Sequence, residues 1–155
     1  MKLTLLALSL SFAGLCFAAQ KPVDTYTSSD LHQMTQKLSA KSKKNGVGFA
    51  GETLERYGNH LTMIAYRDKT GSSELHAHDA DIFMVVEGEA TLITGGKMVK
   101  AKTESPGELR GTGITGGQSQ QLAVGDIVHI APETPHQLKL APGGTFTYFV
   151  VKVHQ

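Results

Sequence analysis

Cysteine is almost absent. Cys16 is the only one in 155 residues, and it lies in an apolar run, residues 3–17, that follows Met1-Lys2 and ends in Ala18 and Ala19. A basic start, an apolar core too short and wrongly flanked to span a bilayer, and small residues at its end make residues 1–19 a secretory signal peptide, cut after Ala18 or Ala19. The chain from Gln20 onward then holds no cysteine, which excludes disulfides, thiolate metal sites and cysteine nucleophiles together. Any metal must be held by nitrogen and oxygen.

An excess of charge of either sign is also lacking, with 15 Lys and Arg against 14 Asp and Glu. The basic cluster Lys37, Lys41, Lys43 and Lys44 has no interleaved aromatics of the kind that stack on single-stranded bases, so no nucleic acid is expected as a partner. No arginine pair stands in the first residues, so the chain is expected to be exported unfolded and to acquire any metal outside the cytoplasm. The expected location is secreted or periplasmic, with no membrane anchor after signal removal. A lipid anchor on Cys16 would need a small residue before it, and Leu15 stands there.

What remains is the length of one domain: an arm and helix over 20–46, then a β domain over 47–155. Ser28-Ser29-Asp30 offers caps before Leu31, Met34 and Leu38, whose spacing gives a helix one apolar face. Lysines and Asn45-Gly46 mark its end, the first suiting the negative end of the dipole and the second a left-handed stop.

After Gly46 the pattern changes to short runs rich in β-branched and aromatic residues, punctuated by Gly, Pro and Asp. Strands are expected within 47–57, 60–67, 74–78, 82–86, 90–94, 97–101, 119–123, 127–131, 136–140 and 145–153. Gly95-Gly96 predicts a tight hairpin. The stretch 102–118, rich in Gly, Ser and Thr, reads as a long excursion with one brief strand at Glu108-Leu109-Arg110. Many short strands at regular spacing predict a sandwich or a barrel.

His76 and His78 lie two apart in a strand-like segment, so alternation puts both imidazoles on one face. Asp81 follows, ahead of the apolar run 82–86, which is expected to be buried on both faces. Pro132-Glu133-Thr134-Pro135 then delivers His136, which shares a face with Leu138 and Leu140. Taken singly, each histidine reads as well as a surface or hydrogen-bonded residue.

Together these residues resemble the cupin superfamily over most of the chain beyond the signal peptide. Gly71, His76-Ala77-His78, Asp81 and Gly88 resemble its first motif, and Gly125-Asp126 with Pro135-His136 its second. The pattern departs where Asp81 replaces a glutamate one residue too close to His78, where Ala131 replaces a proline, and where Leu140 replaces a closing asparagine. The resemblance implies an all-β fold, a single cupin-type β-barrel (double-stranded β-helix or jelly roll) with a short N-terminal helix. It also implies one divalent transition metal (Zn, Mn, Cu, Ni or Fe) on His76, His78, Asp81 and His136. A three-histidine site with Asp81 bonded to the ligands instead of the metal is the open alternative.

His60 and His129 are expected to be structural or substrate-facing, and His32 and His154 to lie on the surface. The site predicts a metal-dependent enzyme acting on a small organic molecule, of oxygenase or of isomerase or lyase type. Glu87, Glu108, His129 and Tyr148 are the candidate proton carriers. A non-catalytic barrel that binds or stores a small ligand is the second reading, because fold does not decide function. The expected partners are a small-molecule ligand or substrate and a second copy in a homodimer.

Overall fold

The computed structural model describes residues 23–155. The expected signal peptide, its cut site and Cys16 lie outside the described residues. One helix, α1 (Ser28–Asn45), precedes the strands β1 (Phe49–Arg56), β2 (His60–Arg67), β3 (Ser73–His76), β4 (Asp79–Gly88) and β5 (Ala90–Thr94). Then come β6 (Lys97–Val99), β7 (Lys102–Ser105), β8 (Glu108–Gly111), β9 (Gly113–Thr115) and β10 (Gln118–Leu122). The last three are β11 (Ile127–Ile130), β12 (His136–Lys139) and β13 (Phe146–His154).

Five strands form one sheet in the order β1-β2-β13-β4-β11, and six form another in the order β10-β5-β12-β3-β8-β7, while β6 and β9 pair apart. From β3 to β5 and again from β10 to β13 successive strands alternate between the sheets: β3, β5, β10 and β12 lie in the second, β4, β11 and β13 in the first. The sheets stay separate layers and do not close into one cylinder.

The core follows from alternation, since every second residue of a strand faces the opposite sheet. In the first sheet Phe83 lies opposite Val150 and Val85 opposite Tyr148. These meet Leu92, Leu122 and Leu138 from the second sheet in one buried cluster. Outside, Leu38 of α1 is buried against Ala50, Ile64 and Tyr66, with Leu31 and Met34 alongside.

Thr27 caps α1, one residue before the expected caps, and forms a reciprocal capping box with Asp30. Gly46, at φ 68°, ends the helix where expected. Ahead of the helix, Tyr57 donates to the Asp24 carboxylate and Tyr26 packs on Phe149 with ring centroids 5.8 Å apart. Among the described residues no helix is long and apolar enough to cross a membrane.

Gly95 and Gly96 both sit at φ 70°, the left-handed pair that the tight turn between β5 and β6 needs. Two expectations change. The run 82–86 is not buried on both faces: it belongs to the longer β4, and Met84 is 44% exposed because α1 lies mainly over β1 and β2. The excursion 102–118 is not mainly loop but carries β7, β8 and β9.

Candidate metal centre

Register assembles the centre between the two sheets. In the six-stranded sheet, β3 places Glu74 opposite His136 of β12 on one side. On its other side β8 sets Arg110 opposite Glu74 and Glu108 opposite His76. The facing sheet contributes Asp81 of β4, directly opposite Lys152 of β13. The turn before β12 is tied in as well, since Glu133, at φ 60°, donates its backbone N–H to the His76 carbonyl at 2.7 Å.

The His76 Nε2 lies 3.3 Å from Asp81 Oδ2 and 3.8 Å from Glu74 Oε2, and His136 Nε2 lies 3.7 Å from Asp81 Oδ2. One donor atom each from Glu74, His76 and His136 fall within 4.8 Å of one another. The other nitrogen of each ring is anchored: His76 Nδ1 sits 2.7 Å from Glu108 Oε2, and His136 Nδ1 donates to the Thr134 carbonyl at 3.0 Å. A neutral imidazole with its N–H used in this way presents a lone pair on Nε2. The two Nε2 atoms converge, which is the arrangement by which partners beyond the metal orient histidine ligands, and that of His76 gives up its hydrogen bond to Asp81 when it binds a metal. The donor set therefore fits a metal of borderline character.

Cations flank each carboxylate. Arg67 Nη2 donates to Glu74 Oε1 at 3.1 Å, and its Nε donates to the Tyr148 hydroxyl at 3.1 Å. Arg110 donates to Glu108 Oε2 at 3.1 Å and approaches Glu74 Oε2 at 3.7 Å. Lys152 Nζ is 2.5 Å from Asp81 Oδ1.

These contacts set the protonation tendencies. Burial raises the Asp81 carboxyl, but its hydrogen bond with His76 and the Lys152 charge outweigh that and hold it below the ordinary value. Burial likewise works against a proton on His76, yet the Asp81 contact prevails and raises its pKa. Burial lowers His136 and raises Tyr148. The centre opens into a cavity of about 1120 Å³, lined in part by Phe49, Met63, Arg67, Tyr148, Val150 and Lys152.

The structure brings together three of the four residues the sequence named: His76, Asp81 and His136. It does not bring His78. Strand β3 stops at His76 and the chain bends at Ala77 and His78, so alternation ends there. His78 is exposed, with its ring 6.1 Å from that of His154.

The donor partnered with His76 by alternation is instead Glu74, two residues earlier, which sequence reasoning missed. The same period-two rule would have found it with the strand ended at His76. Lys152 and Arg67 were also missed, because only cross-strand register aims them inward. His129 is exposed on β11 and Glu87 pairs with His32 outside the sheets at 2.7 Å, so of the four candidate proton carriers Glu108 and Tyr148 line the cavity.

No protein-family model and no curated protein matches the sequence. Among solved structures, a cupin-2 domain from Rhodospirillum rubrum aligns with a TM-score of 0.50 at 12% identity, over 70% of this chain and 61% of that one. A cupin 2 conserved barrel domain protein from Rhodopseudomonas palustris aligns at 20% identity with a TM-score of 0.48, over 68% and 60%. The DMSP lyase DddQ from Ruegeria pomeroyi aligns at 16% identity with a TM-score of 0.49, over 69% of this chain. The chain spans about half the length of that lyase, 47%. At such identities the likeness concerns the fold. With two facing sheets in the order described, this chain has the double-stranded β-helix fold of cupin domains.

Proposed function

We propose that the chain binds one divalent transition metal through Glu74, His76, Asp81 and His136, and that it is an exported enzyme acting on a small organic molecule, of oxygenase or of isomerase or lyase type. The convergence of two Nε2 atoms, each with its Nδ1 anchored, carries this reading. Glu74 stands where the sequence put His78. Two imidazoles and two carboxylates suit Zn, Mn, Cu, Ni or Fe, and loading outside the cytoplasm favours zinc, copper or manganese.

A bound metal would polarise an oxygen donor of the substrate. The chain's own groups do the rest. Arg67 fixes the Tyr148 hydroxyl beside the cavity, and Glu108 orients His76. Both Tyr148 and Glu108 are placed to hold or move a proton. Residues 1–19 support export, and β11, at the end of its sheet with exposed Ile127 opposite exposed Met84, supports a homodimer.

The test is elemental analysis of the protein recovered from its exported location, beside a His136→Ala variant. Near-stoichiometric metal lost in the variant supports the reading. A metal-free protein that binds a small ligand would replace it with a non-catalytic barrel.

A further inference from the structure

Glu74 and His136 come from two halves of one sheet. β12 is bound to β5 through four paired residues and β3 to β8 through four, but β12 meets β3 at a single pair, His136 opposite Glu74. The seam between β10-β5-β12 and β3-β8-β7 therefore runs through the candidate centre. One ladder pair gives each half room to shift against the other, so the spacing across the seam needs a further tie.

Gln137 supplies it. His136 faces the cavity, so alternation turns Gln137 to the other face of the sheet. There its Nε2 donates to the Gly71 carbonyl at 2.8 Å, and Gly71 donates its backbone N–H to the Leu138 carbonyl at 3.0 Å. Gly71 begins the segment that leads into β3 and Glu74, so a side chain of one half holds the backbone of the other.

The contact is sealed from water. β6 continues from β5 and β9 from β8, so their pairing bridges the two halves a second time. β9 lies against the amide, since a Cβ on Gly113 would stand 3.9 Å from Gln137 Oε1, and Gln137 is 2% exposed. A buried hydrogen bond of this kind has no water to exchange with and is costly to leave unmade.

We propose that Gln137 is a positioning residue for the metal centre: by holding Gly71 across the seam it sets the separation of Glu74 from His136, and so whether both reach one metal. This rests on the metal reading above. Ligands work only when held within about 0.5 Å of their productive places, and without the tie each half keeps its own ladder while the seam loosens.

The test loads wild type, Gln137→Met and Leu38→Ala with cobalt(II). Affinity is read by chelator competition, coordination by the cobalt absorption spectrum, and folding by circular dichroism. Gln137→Met keeps the length of the side chain and loses the donor. It should bind cobalt about tenfold or more weaker, with an altered spectrum. Leu38→Ala loosens α1 on the outer face of the other sheet and should keep wild-type affinity and spectrum despite its loss of stability. Should Gln137→Met not fold, Gln137→Asn, one methylene short of Gly71, is read by the same criteria. A folded Gln137 variant with wild-type affinity and spectrum overturns the positioning role and leaves the metal centre standing. Equal weakening in Leu38→Ala also overturns it, by assigning the effect to stability alone. No cobalt bound by wild type overturns both readings.

Discussion

His76 Nε2 faces Glu74 Oε2 across 3.8 Å on one side of β3, while His78, two residues further on, is exposed past the strand's end. Glu74→Gln and His76→Ala should therefore each weaken metal binding by about tenfold or more, and His78→Ala should leave it unchanged. Chelator competition measures all three. A loss confined to His78→Ala would return the site to the spacing first read from the sequence.

Glu108 meets the ring of His76 at Nδ1, 2.7 Å away. Glu108→Gln can still accept that hydrogen bond and should cost little metal affinity, whereas Glu108→Ala should cost about 10- to 100-fold. Equal losses in both would show that the charge of Glu108 matters and not its orientation of the ring.

The two histidines should impose opposite pH dependences on the metal-free protein. The contact with Asp81 raises His76 above its ordinary 6.5, so its stabilising contribution is whole below that value and fades as pH rises through the folded pKa. Burial lowers His136, so its contribution is whole above 6.5 and fades as pH falls through the folded pKa. Denaturant titrations should find His76→Gln more damaging at about pH 6 than at about pH 8, and His136→Gln the reverse. Metal should be lost on acidification, because Nε2 of each ring must be free of its proton to bind.

Leu38 and Met84 lie on opposite terms with the first sheet. Leu38, 1% exposed, seals α1 onto Ile64 and Tyr66, while Met84 points outward where no helix covers β4. Thermal or denaturant unfolding should show Leu38→Ala costing roughly 2–5 kcal/mol and Met84→Ala within about 0.5 kcal/mol of wild type.

Much of the fold is legible in local pattern. The strands 60–67 and 90–94 match β2 and β5 to the residue, and Gly46 and Gly95-Gly96 turn the chain where their freedom of φ predicts. Patterns that need a partner element are not legible. Nothing within Ile82-Phe83-Met84-Val85-Val86 tells that α1 stops short of Met84, and nothing in Lys152 tells that register sets it against Asp81.

At the site, His76, Asp81 and His136 are visible as residue types at suggestive spacing. Whether alternation pairs His76 with His78 or with Glu74 turns on where the strand ends, and β3 runs Ser73–His76, two residues short of the expected end. Glu108 and Arg110 lie on β8, the brief strand expected at 108–110, while the Gly, Ser and Thr content of the same stretch concealed β7 and β9.

The most direct measurement is an anomalous-difference map from crystals of the protein grown with zinc or manganese. The account predicts one strong peak between the Nε2 atoms of His76 and His136, within bonding distance of Glu74 Oε2. A peak beside His78 and His154, or none in the barrel interior, would contradict it.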